Sequence, residues 1–351
     1  MGGQQRRLAS LVAGLGADFT HKIVSLDGDL GAMPLVDGAA TAEAIEFRKS
    51  ATIDFGNIAR LGRAIRAAAP DVLCTYNWGS LEAALANRLG PRAPHVHHED
   101  GFGPDELNGE QLPRRILARR LILRGSYVTI PSAGLERIAR EVWRLDSSRI
   151  VRNPVGVDLA RFREPARTYR RTPVKVVAIG ALRREKNFAR LIASFEKADP
   201  AGNSQLAIFG DGPQIEALRG RAAQSPASDR ISLPGPTHAP HAALGGADIF
   251  ALSSDTEQTP ISLIEAMASG LPLVATDVGD IAAMVSAENR AFVVAVADED
   301  AYAVALRRLI ANAGLRETVG RANHWRSASF DARAMVDAFR ALYARAAGRT
   351  M

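Results

Sequence analysis

Two glutamates frame a predicted helix that begins where a strand ends. Glu257 and Glu265 lie eight residues apart in ALSSDTEQTPISLIEAMASGLPLVATDVG. Within this stretch, Thr259 and Pro260 are typical of an N-cap and a first helical residue. A carboxylate accepts hydrogen bonds from vicinal hydroxyl groups, so the two glutamates can flank a ligand that carries sugar rings.

The start of this helix is suited to binding a diphosphate. We expect the backbone N–H groups of Ile261, Ser262 and Leu263 to have no partner within the helix, with the positive end of the helix dipole behind them. Two acids at this spacing arise by chance among 38 Asp and Glu residues. The pattern becomes specific only together with Pro260 and the strands on either side.

Short apolar segments alternate with helical patterns along the chain. The expected strands are 22–27, 71–76, 94–98, 127–131, 174–180, 205–210, 247–253 and 271–277. This alternation predicts an α/β fold with two doubly wound, Rossmann-like parallel-sheet domains facing each other across a cleft. A Pro- and Arg-rich stretch divides them, so we expect domains over 1–155 and 156–330 and a terminal helix within 331–351 that packs back on the first domain.

Several segments resemble one enzyme family. EQTPISLIEAMASGLPLVAT resembles the Glu-x7-Glu signature of the retaining nucleotide-sugar glycosyltransferases of family 4, which have the GT-B fold. The resemblance covers most of the chain and includes AIGALRREKN (178–187), IFGDGP (208–213), ISLPG (231–235) and NPVGVDLARF (153–162). It implies sugar transfer from a nucleotide-sugar donor to a hydroxyl acceptor with retention of configuration, without a metal or other cofactor.

The resemblance also implies roles for particular residues. Lys186 would neutralise the donor pyrophosphate as it leaves, Glu257 would contact the transferred sugar, and Glu265 would accept hydrogen bonds from the ribose. The family often has arginine where this chain has Ala181, so Arg183 or Arg184 is expected to supply a second cation. The residues expected to bind the donor are Gly180, Arg183, Arg184, Lys186, Gly212, Pro260, Ile261, Ser262, Leu263 and Glu265.

A second cluster of polar residues follows a strand of the first domain, in HVHHEDGFGPDE (95–106). The resemblance implies a His or an acid beside the sugar here, which makes His98, Glu99 and Asp100 joint candidates. No cysteine or distant histidine completes a closed metal site, so we predict no metal. The residues expected to line the acceptor side are Asn77, Trp78, Glu99 and Gly101, although ordinary packing accounts equally well for Asn77 and Trp78.

The chain opens with a glycine pair, in MGGQQRRLASL, and no strand candidate precedes it. In the family, such a loop follows the first strand, which makes Gly2 and Gly3 candidate acceptor-side residues. We therefore expect the first domain to lack its first strand in this sequence. We expect the natural protein to begin upstream, with roughly 10–15 further residues that include a strand of about 5–6.

Charge and composition limit the partners. The chain carries a formal net charge of +6, a single cysteine and no long apolar run that would span a membrane. Its arginines are not interleaved with aromatic residues, so we expect no nucleic acid. The segment RRILARRLILR (114–124) has the pattern of a helix on an anionic membrane surface, but this pattern is somewhat more often a solvated helix face with a buried stripe.

These observations favour a cytoplasmic enzyme at the inner face of the membrane that acts on an envelope glycan or lipid-linked acceptor. Two other functions stay open at this point. One is a different GT-B enzyme, such as a nucleotide-sugar epimerase. The other is a protein that binds a nucleotide sugar without catalysis.

Overall fold

The computed structural model divides the chain into two compact units. Unit 1 comprises Met1–Gly156 together with Ala332–Met351, and unit 2 comprises Val157–Asp331. The residues that the structure describes are 3–26, 33, 36, 40–44, 54–101, 111–162, 168–169 and 172–349.

Strands and helices alternate in both units. In chain order the strands are β1 (His21–Ser25), β2 (Ala40–Ala44), β3 (Leu73–Tyr76), β4 (His95–His98), β5 (Tyr127–Ile130), β6 (Ile150–Arg152), β7 (Val174–Ile179), β8 (Ser204–Phe209), β9 (Ile231–Gly235), β10 (Ile249–Leu252), β11 (Leu273–Thr276) and β12 (Val293–Val294). The helices are α1 (Gly3–Leu15), α2 (Phe55–Ala68), α3 (Leu81–Leu89), α4 (Pro113–Ile122), α5 (Ala133–Glu141), α6 (Phe188–Ala198), α7 (Ile215–Ala223), α8 (Pro240–Gly245), α9 (Ile261–Ala268), α10 (Ile281–Met284), α11 (Glu299–Ala311), α12 (Ala313–Ser327) and α13 (Ala332–Ala346).

The sheets are parallel, as the alternation predicts. Unit 2 has one sheet in the order β12-β11-β10-β7-β8-β9, which makes β7 the neighbour of both β8 and β10. Unit 1 has a four-stranded sheet, β3-β4-β5-β6, and a separate β1–β2 pair. Within the described residues, no ladder joins these two sheets. The prediction of two Rossmann-like α/β domains is confirmed.

Each unit has its own apolar core. In unit 1, α13 packs against α1, so that Phe339 and Leu342 meet Leu11 and Leu15. In unit 2, the sheet is covered by α6 and α11, and Phe195 and Tyr302 are fully buried. Burying side chains of this size stabilises each unit by about 1.5–3 kcal/mol per residue.

Some elements were not predicted from the sequence, and α12 illustrates why. This helix buries Arg316 and Asn323. Arg316 donates to the carbonyl oxygens of Leu309, Ile310 and Tyr169, over 2.6–2.8 Å. Because polar residues occupy its inner face, the apolar periodicity that marks a helix is weak there.

Candidate functional site

A lysine and a glutamate meet at the carboxyl ends of two neighbouring strands of unit 2. Lys186 lies in the loop after β7 and Glu257 in the loop after β10, and the Lys186 Nζ atom contacts Glu257 Oε1. Their side chains are 24% and 9% exposed, respectively, so the pair is shielded yet open to solvent. The Ser254 hydroxyl donates to the same Glu257 oxygen over 2.7 Å.

Backbone contacts fix the two loops to each other. Lys186 ends a short 3₁₀ helix, Arg184–Lys186, and its carbonyl oxygen accepts from the Ser253 hydroxyl over 3.0 Å. The Asp255 N–H donates to the Glu185 carbonyl over 2.8 Å. Arg190 adds a bond to the Ser253 carbonyl, over 2.8 Å, and an ion pair with Asp255. The position of Lys186 relative to Glu257 is therefore set by the backbone.

Helix α9 begins one residue later than the sequence predicts. Pro260 is its N-cap rather than its first residue, because its ψ of 115° is extended. Its carbonyl accepts from the N–H of Leu263, over 3.2 Å, so the expectation that Leu263 has an unbonded N–H is wrong. The N–H groups of Ile261 and Ser262 remain without a partner within the helix. Thr259 lies before the cap and is not the capping residue.

Glycines allow the neighbouring turns of unit 2 to approach closely. Gly180 follows β7 and donates its N–H to the Phe209 carbonyl over 3.0 Å. Gly212 follows β8 at φ +153°, where a Cβ atom would lie 2.7 Å from the Leu182 carbonyl oxygen. A Cβ on Gly210, which the sequence analysis did not single out, would overlap the Gly180 carbonyl.

The remaining donor-side candidates differ in exposure. Glu265 lies in the second turn of α9 with its side chain buried. Arg183 and Arg184 are exposed beside Lys186. Within the described part of the chain, neither guanidinium group has an ion-pair partner.

A glycine holds the loop of Glu257 from the other side. Gly279 adopts φ +59°, and a Cβ atom there would overlap the Glu257 carbonyl oxygen. Glycine accepts this backbone conformation at low cost. In the sequence, Gly279 is recognisable only as a glycine that follows a strand and a short turn. This pattern by itself did not indicate contact with Glu257.

The three candidates at the end of β4 are held by three different helices. Asp100 pairs with Arg7 of α1, and Glu99 pairs with Arg119 of α4, with Nε and Oε2 separated by 3.0 Å. His98 Nε2 lies 3.2 Å from the Tyr343 hydroxyl of α13. His98 and Glu99 are fully buried, and Asp100 alone of the three reaches the surface, at 16% exposure.

Burial sets the ionisation of this cluster. Desolvation, together with the charge of Arg7, holds the pKa of His98 well below its usual range, so the ring is neutral at physiological pH. Desolvation also raises the pKa of Asp100, against the opposing effect of the Arg7 guanidinium. His95 and His97 share the Thr75 hydroxyl at 2.8 Å each, on the opposite strand face from His98.

The other acceptor-side candidates of unit 1 are mostly structural. Asn77 joins β3 to β4, since its N–H donates to the His98 carbonyl and its Oδ1 accepts from the Asp100 N–H, over 2.8 and 2.7 Å. Trp78 packs beneath the guanidinium groups of Arg115 and Arg119, about 5 Å from its ring centre.

The structure describes two of the three candidate glycines of unit 1. Gly3 is the first residue of α1, and Gly101 is the last described residue before the gap at 102–110. Gly2 lies outside the described residues. In the described part of the chain, no group of three or more His, Cys, Asp or Glu residues is arranged to hold a metal ion.

The basic segment 114–124 is not a uniformly charged face. Arg119 is buried between Trp78 and Trp143, and Arg120 donates to the Val142 carbonyl over 2.9 Å. The exposed residues of this segment are Arg114, Leu117, Leu121 and Arg124. No helix in the described part of the chain is long and apolar enough to cross a bilayer.

Comparison with known families covers both halves of the chain. Residues 2–156 match the model of the glycosyl transferase 4-like domain. Residues 163–324 match the model of the glycosyl transferases group 1. Each half of the chain therefore resembles a glycosyltransferase domain. The two matched ranges follow the division into unit 1 and unit 2, apart from α13.

Two curated relatives each align with a little under half of this chain. One relative is WcaL of Escherichia coli, which is named as a colanic acid biosynthesis glycosyltransferase. It is 31% identical over 168 residues, or 45% of this chain and 41% of WcaL. The lipopolysaccharide core biosynthesis glycosyltransferase LpsD of Rhizobium meliloti is 28% identical over 172 residues, or 48% of this chain and 49% of LpsD. The chain thus spans less than half the length of these relatives.

Solved structures share the fold over the whole chain. Anabaena Alr3699/HepE, whose structure was determined in complex with UDP, superposes with a TM-score of 0.82 at 15% identity, covering 98% of this chain and 96% of HepE. The structural relatives are GT-B glycosyltransferases, so the GT-B fold class predicted from the sequence is confirmed.

Proposed function

We propose that this chain transfers a sugar from a nucleotide-sugar donor to a hydroxyl group, with retention of configuration at the anomeric carbon. The observation that carries the proposal is the contact of Lys186 with Glu257, three residues before the cap of α9. A cation, a carboxylate and free N–H groups at a helix start match the charges of a sugar diphosphate. The family matches of both units support the same reaction class.

Donor binding would replace the contact between Lys186 and Glu257 with contacts from each residue to the donor. A diphosphate carries more negative charge than the Glu257 carboxylate and can draw the Lys186 ammonium group towards it. Glu257 is then released to accept hydrogen bonds from sugar hydroxyls. Glu265, one turn along α9, would accept from the ribose, and Arg183 or Arg184 would add the second cation on the phosphates.

Charge stabilisation in unit 2 would drive the chemical step. Lys186 and the helix start stabilise the diphosphate as its bond to the anomeric carbon breaks. In the retaining reaction, the acceptor hydroxyl approaches from the face that the diphosphate leaves, and a phosphate oxygen takes its proton. The reaction would need no metal, because the charge is balanced by these side chains and N–H groups.

Product stereochemistry tests the proposal. We would screen UDP-, GDP- and ADP-sugars by thermal shift, beginning with UDP-glucose because HepE was solved with it. Transfer to an alcohol acceptor would then be followed by proton NMR of the anomeric centre in buffer with EDTA. A product of retained configuration is expected. An inverted product, or donor epimerisation without transfer, would contradict the reaction; binding without turnover would indicate a non-catalytic nucleotide-sugar-binding protein.

Substitution of Glu265 tests the donor site separately. Loss of two hydrogen bonds to a charged group weakens binding by about 100-fold, so Glu265→Ala should abolish donor binding in calorimetry at ordinary concentrations. Glu288→Ala, at an exposed site in unit 2, is the matched control. Unchanged binding by Glu265→Ala would refute the assignment of the site.

We further propose that the acceptor is an envelope glycan or a lipid-linked saccharide, reached at an anionic membrane surface on the cytoplasmic side. Colanic acid and lipopolysaccharide relatives support the acceptor class. On α4, Leu117 and Leu121 are 54% and 55% exposed and lie between Arg114 and Arg124. Spacings of three and seven residues place Arg114, Leu117 and Leu121 on one face of α4, as in interfacial helices.

Vesicle sedimentation tests the membrane contact. The protein should bind vesicles that contain phosphatidylglycerol more strongly than pure phosphatidylcholine vesicles. Leu117→Gln with Leu121→Gln should weaken that binding, whereas Val304→Gln, which changes an exposed residue of unit 2, should not. Binding that is independent of anionic lipid would contradict this part of the proposal.

A further inference from the structure

A groove lined by arginines lies at the edge of unit 1 opposite the end of β4 that carries His98. Its volume is about 520 Å³, and it is formed where β4, β5 and β6 begin. The charged and ring side chains that line it are Arg88, Arg92, Arg124, Arg149, His95 and Tyr127. Since β4 has four residues, three residue rises separate His95 in the groove from His98, about 10 Å.

The groove carries an unbalanced positive charge. Its lining contains four arginines and neither aspartate nor glutamate. Within the described part of the chain, none of these four guanidinium groups lies within 4 Å of a carboxylate. Asp146, an exposed carboxylate, interacts with Arg149 from a distance.

Helix dipoles compensate only part of this charge. Helices α3 and α4 end at the groove, and Arg88 donates to the carbonyl of Arg124 over 2.7 Å. Each helix end contributes about half a negative charge, so the two together offset about one of the four positive charges. Counting Asp146 as well, about two positive charges remain for a ligand.

The turn that presents Arg92 is held rigidly. The Asn87 side chain binds both the N–H and the carbonyl of Ala93 over 2.9 Å, and the Asn87 carbonyl accepts from the Arg92 N–H over 2.9 Å. Arg92 is fixed at φ +59°, a conformation that arginine rarely adopts. A strained backbone maintained by several bonds is characteristic of sites that position a side chain for a ligand.

We propose that this groove binds a phosphate group that carries about two negative charges, either on a free small molecule or on the headgroup of a lipid. Guanidinium groups bind phosphate through paired, charge-assisted hydrogen bonds. The lipid source is supported by Leu89, which directly follows Arg88 and is 68% exposed. The site is separate from the donor site of unit 2 and does not depend on sugar transfer.

The test uses two probes and a pair of matched variants. Inorganic pyrophosphate is titrated by calorimetry into the full-length Lys186→Met protein, in which the donor site is disabled. Vesicles with and without phosphatidic acid form the second arm. The groove variant is Arg92→Gln with Arg124→Gln, because neither side chain makes a hydrogen bond or ion pair within the described residues. The control, Arg63→Gln with Arg137→Gln, removes the same charge from exposed positions elsewhere in unit 1.

The expected result is a loss specific to the groove variant. Each arginine contributes about tenfold to phosphate affinity, so the groove variant should bind at least one probe about 100-fold more weakly. The control should change by less than about twofold. Loss with pyrophosphate identifies a free phosphate ligand, whereas loss with vesicles alone, reproduced by Leu89→Gln, identifies a lipid headgroup.

Two results would overturn the proposal. One is the absence of binding to either probe by protein with an intact groove. The other is an equal loss in the groove variant and the control, which would indicate attraction by net charge alone. Far-ultraviolet circular dichroism and melting temperature establish that each variant is folded, and Arg124→Lys in place of Arg124→Gln should restore part of the affinity.

Discussion

The two units place charged groups at the ends of their strands in opposite situations. In unit 2, Lys186 and Glu257 form an ion pair that solvent reaches. In unit 1, His98 and Glu99 are fully buried, and burial keeps His98 neutral. The same topological position, the carboxyl edge of a parallel sheet, thus leaves a charged pair within reach of solvent in one unit and buries polar groups against helices in the other.

The difference shows what a polar cluster at a strand end can be used for. His98, Glu99 and Asp100 are consecutive, and each binds a different helix, through Tyr343, Arg119 and Arg7 respectively. This cluster fastens α13, α4 and α1 to the sheet. In unit 2 the apolar core holds the helices, so the charged residues of the loops remain available for binding.

The largest effect is expected for the lysine of unit 2. Loss of one group that stabilises developing charge lowers turnover by about 10²–10³-fold, so Lys186→Met should reduce sugar transfer by that factor in steady-state kinetics. Lys197→Met, which removes an exposed lysine paired with Asp300, should leave the rate unchanged. A reduction of less than about threefold for Lys186→Met would mean that Lys186 does not support sugar transfer, so the two units would not differ in function in the way described.

Substitution of Arg7 should lower the free energy of unfolding, whereas substitution of Lys186 should lower turnover. Arg7→Met leaves Asp100 in a largely buried site without its cation, and the free energy of unfolding should fall by about 3 kcal/mol. Arg349→Met, at an exposed pair with Asp71, should cost less than about 1 kcal/mol. Urea unfolding measures both, and equal losses would mean that the cluster in unit 1 does not anchor α1.

Gly279 tests whether the position of Glu257 matters for turnover. Gly279→Ala forces a Cβ atom against the Glu257 carbonyl and should cost about 1–3 kcal/mol of stability. Displacement of Glu257 should lower sugar transfer by about tenfold. Gly235→Ala is a close control, since Gly235 also has positive φ but open space around its Cβ position. Similar activity of the two variants would argue against a positioning role.

The smallest effect is a pH dependence that originates in unit 1. Burial, reinforced by His97, lowers the pKa of His95 to about 3 in the folded state. Below pH 6.5 the unfolded chain binds the proton first, so the free energy of unfolding falls as the pH falls. Between pH 6.5 and 5, the wild type should lose about 1.5 kcal/mol more than His95→Gln. Parallel stability curves in chemical denaturation would contradict the neutral, buried histidine.

The sequence predicted unit 2 better than unit 1 because its signals are local. The elements from β10 to β11 follow one another, and a proline, a glycine and an apolar run determine each boundary within a few residues. Even there, the helix starts at Ile261 rather than Pro260, because ψ of the proline is extended. The family resemblance assigned Lys186 and Glu257 to one site, but neither it nor the spacing predicted the contact between them.

The cluster in unit 1 depends on partners that are far apart in the chain. Arg7 lies 93 residues before Asp100, and Tyr343 lies 245 residues after His98. Neither partner carries a local pattern that connects it to β4. The groove at the other end of β4 was missed for the same reason, since its arginines come from three separate segments and only Arg124 belongs to a conspicuously basic run.

The way the chain enters and leaves unit 2 determines when each unit can be completed during synthesis. Unit 2 is continuous, whereas unit 1 requires its final 20 residues. During synthesis Val157–Asp331 is made before α13, and the apolar face of α1 has no Phe339 or Leu342 to pack against until α13 has been made. The first half of the polypeptide, although made first, finishes last, and a premature stop anywhere before α13 would leave its hydrophobic surface exposed to chaperones and proteases.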